Sequence, residues 1–133
     1  MDRVPAIEHD RLGQLLHEGA SGLYINEAAV RLLHRHGYWL RRPEFFQFVD
    51  GYGDPVTALG IRWADAVAAL DRGELAADQE PANILRVAAS LCTFYEVSFR
   101  DVCERISREG IKHVAEAVMY ADGFLDSVAD PRP

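Results

Sequence analysis

The sequence predicts an all-α fold, a single compact domain of six or seven short helices arranged as an irregular orthogonal bundle. Three observations carry this expectation. Apolar residues recur at i, i+3, i+4 and i+7 in one segment after another. Glycines punctuate those segments where a helix C-cap would fall. No run of comparable length alternates strictly between apolar and polar residues, as a half-buried strand would. The 133 residues suit one core spanning 1–133, and the one place for a subdivision is the Gly- and Pro-rich stretch 50–55.

A first helix is expected over 5–18. Pro5 is tolerated in its opening turn, Leu12, Leu15 and Leu16 face inward, and Gly19 ends it. A second runs over 23–36 with Ile25, Ala28, Ala29, Leu32 and Leu33 on one stripe, and Gly37 stops it. Residues 38–42 are read as short and extended, because the residue before Pro43 is pushed out of the α region. Pro43 then opens a short helix carrying Phe45, Phe46, Phe48 and Val49. The turn 50–55 follows.

A fourth helix is expected over 56–72, with Val56, Leu59, Trp63, Val67 and Leu70 on one face and Gly73 after it. An acidic link, 74–81, leads to a fifth over 82–95 that groups Ile84, Val87, Ala88, Leu91 and Tyr95. Ser98, three residues before Asp101, resembles a capping box opening a sixth helix over 99–109. Its inner face is Phe99, Val102, Cys103 and Ile106, and Gly110 ends it. A seventh spans 111–121 with Val114, Ala115 and Val118 inward. The tail 127–133 is expected to fray.

Composition excludes several classes. With 49% hydrophobic and 26% charged residues the chain sits at the globular average, not among disordered or fibrous sequences. No apolar run approaches the ~20 residues of a membrane span, and acids and bases at the N-terminus replace the basic start and apolar core of a signal peptide. A cytoplasmic protein is expected. Cys92 and Cys103 are the only cysteines; both fall near apolar stripes and are read as buried thiols. The formal charge is −7, which opposes nonspecific binding to nucleic acid or anionic membranes. It is uneven: the stretch through Arg42 holds six arginines against five acids, and the remainder eight bases against sixteen acids.

That asymmetry singles out 31–42, which contains Arg31, Arg35, Arg41 and Arg42, two histidines, Tyr38 and Trp39, and no acid. Planar guanidinium groups beside aromatic rings suit phosphate, carboxylate or a stacked base, and Arg and Trp are frequent interface anchors. The binding candidates are therefore Arg31, Arg35, Trp39, Arg41 and Arg42, toward a protein partner or an anionic ligand. The competing assignment makes Trp39 core and the arginines a solvated helix end favoured by the helix dipole, with Glu27 available to Arg31. A second candidate is a tri-helical nucleic-acid-binding unit over 82–121, with Arg100, Arg105 and Arg108 projecting from the sixth helix; Asp101, Glu104 and Glu109 on the same helix oppose it.

Catalytic and cofactor signals are sparse. His113, Glu116 and Tyr120 are read as lining one outward face of the seventh helix, without a nucleophile or oxyanion donors around them. No Cys-x-x-Cys, His-x-x-x-His or Glu-x-x-His pair marks a metal site, and no glycine-rich phosphate loop is present, so no cofactor is expected. The leading expectation is a non-enzymatic helical adaptor acting through the Arg/Trp segment. A helix-turn-helix type regulator and a small helical enzyme stand behind it.

Overall fold

The computed structural model describes residues 8–123; the expected first turn at Pro5 and the expected frayed tail 127–133 lie outside them. Six α-helices dominate: α1 (His9–Gly19), α2 (Tyr24–His36), α3 (Trp63–Asp71), α4 (Gln79–Cys92), α5 (Phe99–Arg105) and α6 (Arg108–Ala121). Between α2 and α3 the chain makes two 3-10 segments, Trp39–Arg41 and Pro43–Phe48, and an antiparallel hairpin of β1 (Val49–Tyr52) and β2 (Ala58–Ile61). The mostly helical class predicted from periodicity is thus the observed one, with the hairpin added to it.

Helix α2 is the centre of the assembly and packs against both α4 and α6. Ala28, Ala29, Leu32 and Leu33 are almost fully buried, as their spacing requires. Gly37 adopts φ 86° and its amide bonds the Leu33 carbonyl, the left-handed cap that halts the helix. Ile25 departs from the expected stripe and is 48% exposed, because it stands in the first turn, outside the packed length of the helix. One apolar cluster joins residues from α1, α2, the 3-10 segments, both strands, α3, α4, α5 and α6, and the stretch 50–55 runs from β1 into the exposed turn of the hairpin.

Several expected boundaries move, each for a physical reason. Residues 39–41 form a 3-10 turn in place of the extended segment expected over 38–42. This turn folds Trp39 and Leu40 into the core. The expected helix over 56–72 is strand β2 followed by α3. Asp50 pairs with Gly60 and Tyr52 with Ala58, a hairpin ladder that outweighs the helical spacing, and Val56 is left exposed in the turn. Gly19 does not cap α1. Its Cα lies so near β2 that a Cβ would fall 1.9 Å from the Leu59 carbonyl oxygen, so glycine is there for close approach.

Helix α4 starts earlier than expected, at Gln79, with Pro81 inside its first turn, and it ends at Cys92, which leaves Tyr95 beyond it. The Tyr95 hydroxyl donates to Asp71 instead (2.8 Å). Ser98 caps α5 by accepting from the Asp101 amide. That helix stops at Arg105, not at 109, because Ser107 caps a new helix. Phe99 is exposed, Cys103 is exposed, and only Val102 and Ile106 carry the inner face. Cys92 is partly buried, and burial pushes its thiol up to about 12. On α6 the inward residues are Val114, Ala117 and Tyr120; Ala115 and Val118 are exposed. The register differs because the face carrying Tyr120 meets polar partners on α2.

Candidate functional site

The arginine segment divides between surface and core. Trp39, expected as an interface anchor, is 2% exposed. Its indole N–H donates to the Pro81 carbonyl (2.7 Å) and its ring packs against Tyr38 and Phe45. This corrects the expectation: a buried donor that has found its acceptor is a core residue. Arg35, Arg41 and Arg42 are exposed, and Arg31 is half-buried. The Arg42 guanidinium lies 4.3 Å from the Tyr38 ring centre, a cation–π contact. Arg41 and Arg42 have no carboxylate within ion-pair distance among the described residues.

Arg31 and Arg35 stand one turn apart on α2 and line a cleft between α1 and α2 of about 280 Å³, together with Gly13, Gln14, His17, Glu18, Val30 and His34. Arg31 is seated over the Tyr120 ring at 4.5 Å. Burial, and then the neighbouring Arg35, hold its guanidinium below the usual arginine range. Arg35 reaches Glu116 at 3.6 Å, with both side chains partly in water, a pair of small energetic value. The cleft is thus lined by two guanidiniums, two imidazoles and the Glu18 carboxylate, with Glu116 beside Arg35 and Asp10 beside His34. A guanidinium fork of this kind matches the geometry of a carboxylate or a phosphate.

The polar residues of α6 serve the packing of that helix. Tyr120 donates to the buried carboxylate of Glu27 (2.8 Å), which also accepts from the Gly22 amide (3.1 Å). His113 and Glu116 are partly buried, so the face expected to be outward is turned toward α2. Glu80, at the start of α4, accepts from the Ser107 amide and hydroxyl and lies 3.1 Å from His36 Nε2. Burial alone would raise its carboxyl; the Ser107 amide, His36 and the Ser107 hydroxyl outweigh burial and hold it below the ordinary carboxylate range. Gly110, expected to end a helix, lies in the first turn of α6, where a Cβ would press on Ile106 and on Glu80.

The nucleic-acid candidates are dispersed. Arg100 pairs with Glu104 and Arg105 with Asp101, each one turn along α5, while Arg108 belongs to α6. The expected single helix over 99–109 that would present all three does not form.

At the other end of the α1–α2 contact, His34 Nε2 lies 3.0 Å from Asp10 Oδ1, and His9 Nε2 lies 3.1 Å from the His34 carbonyl. The two rings are 4.7 Å apart. His34 lies flat against Gly13, where a Cβ would come within 2.8 Å of the imidazole. These residues escaped the sequence search because no local spacing links 9 and 10 to 34. No helix among the described residues is long and apolar enough to cross a membrane. Compared with protein-family models, with curated proteins and with solved structures, the chain matches none.

Proposed function

We propose that the protein is a non-catalytic helical binding module that receives an acidic segment of a partner protein in the α1–α2 cleft, with Arg31 and Arg35 as the principal contacts. The observation that carries this reading is the composition of the cleft wall: Arg31, Arg35, His17 and His34 converge there in a chain of net charge −7. Cations held together against their own repulsion favour the arrival of carboxylates, and a guanidinium fork pairs with a carboxylate in two parallel hydrogen bonds. Arg41 and Arg42, beyond the end of α2, extend the cationic surface and steer an acidic chain toward it. Trp39 supports the site from the core through its bond to α4 and makes no contact with the partner.

A fluorescein-labelled oligoglutamate peptide tests the reading by anisotropy. Binding is expected at low salt and should weaken steeply as salt rises. The Arg35→Glu/Arg41→Glu double variant should abolish it and leave the melting temperature almost unchanged. Retention of binding by that variant, or an absence of binding by the unmodified chain at low salt, overturns the proposal. A salt-sensitive duplex-DNA shift lost on Arg105→Ala and Arg108→Ala would transfer the function to α5 and α6.

A further inference from the structure

We propose that His9, Asp10 and His34 form a binding site for a divalent late first-row metal ion such as Zn²⁺ at the start of α1. One ligand atom from each residue lies within 4.8 Å of the others. Ligands that share such an ion at about 2.1 Å stand roughly 3.0 to 3.4 Å apart. The His34 Nε2 to Asp10 Oδ1 separation, 3.0 Å, already meets that requirement, and His9 supplies a third ligand atom within 4.8 Å of both. Two imidazoles with one carboxylate suit zinc or nickel over magnesium or calcium, which favour all-oxygen sets.

The hydrogen bonding around His9 points the same way. A backbone carbonyl only accepts, so His9 Nε2 donates its N–H to the His34 carbonyl. The ring's lone pair is then on Nδ1, which is buried and has no hydrogen-bond partner among the described residues. A histidine whose one N–H is anchored on a carbonyl while the other nitrogen keeps a bare lone pair has the arrangement of a metal ligand oriented by its surroundings. His34 is oriented as well, its ring laid flat on Gly13. An ion entering here takes the place of the proton between His34 Nε2 and Asp10, which moves to His34 Nδ1, or to solvent from a cationic ring, so that His34 binds as a neutral imidazole. Three protein ligands leave a coordination position open and a net charge of +1, beside the cleft that His34 also lines.

Titration of ZnCl₂ into the chelator-treated full chain tests the site without any substitution. In imidazole-detected nuclear magnetic resonance, the His9 and His34 signals should move with an end point of one Zn²⁺ per chain, and those of His17, His36 and His113 should not. By calorimetry, His9→Gln and Asp10→Asn should each weaken Zn²⁺ binding by at least the roughly 10- to 100-fold that loss of a partner merely orienting a ligand costs, and His36→Gln should leave it unchanged. The proposal fails if roughly ten equivalents of Zn²⁺ move no imidazole signal, if only the other three histidines respond, or if the His9→Gln/His34→Gln double variant binds with undiminished affinity.

Discussion

Helix α2 is held by two seams of opposite character. Toward α4 the core holds Ala28, Ala29, Leu32 and Leu33 with Ile84, Leu85 and Ala88, all nearly without solvent exposure. Toward α6 the packing is threaded with polar groups: Tyr120 on Glu27, Arg31 over Tyr120, Arg35 near Glu116. The apolar seam draws its stability from area and close packing, which have no dependence on pH and little on salt. The polar seam depends on hydrogen-bond geometry and charge pairing, and removing one partner leaves the other desolvated. The proposed binding cleft lies on the α1 side of α2 and shares Arg31 and Arg35 with the polar seam, so a charged ligand there alters the balance of groups already in place.

Substitutions separate the two. Leu85→Ala, in the apolar seam, should produce the largest loss, about 2–5 kcal/mol by urea denaturation, and the loss should be the same at low and high salt. Gly19→Ala should follow at about 1–3 kcal/mol or more, since the new methyl meets the Leu59 backbone, which cannot rotate away. Tyr120→Phe should cost about 1–3 kcal/mol, because the buried Glu27 carboxylate loses a donor. The Glu27→Gln/Tyr120→Phe double variant should then lose less than the sum of the single changes.

Smaller effects sharpen the contrast. The Glu80 carboxyl is held below its ordinary value in the folded chain, so its contribution is complete above the unfolded value and is lost as pH falls through the folded one. Stability measured by thermal melting should fall on the acid side, and Glu80→Gln should flatten that part of the profile. Smallest of all, Arg100→Ala on exposed α5 should change stability by no more than about 0.5 kcal/mol, since its pair with Glu104 is a solvated one-turn contact.

Local signals made α2 legible almost to the residue, because amphipathic spacing and a C-terminal glycine agree there. The Ser98 cap was legible for the same reason. Strand β2 was not: Leu59, Trp63, Val67 and Leu70 happen to fall at helical spacing, and only pairing with β1 determines the conformation of 58–61. The break between α5 and α6 depends on Ser107, which caps α6 and bonds Glu80 from 27 positions away. The buried face of α6 was misjudged because a helical wheel counts Tyr, Glu and His as outward, and the matching Glu27, Arg31 and Arg35 come from another helix. In the candidate site, the arginine cluster was visible as a charge imbalance. The role of Trp39 was hidden, since a tryptophan beside arginines reads alike whether it faces solvent or, as here, an acceptor on α4. The grouping of His9 with His34 needs the helices crossed over Gly13.

The two cysteines differ in environment, and that difference has a kinetic use. Cys103 is exposed on α5, whereas Cys92, at the end of α4, is partly buried with its thiol pushed up to about 12. A pulse of thiol reagent should therefore modify Cys103 first and reach Cys92 when the end of α4 opens. The natural chain thus carries a clock for local opening, and the ratio of the two labelling rates would register any ligand that holds the helices closed.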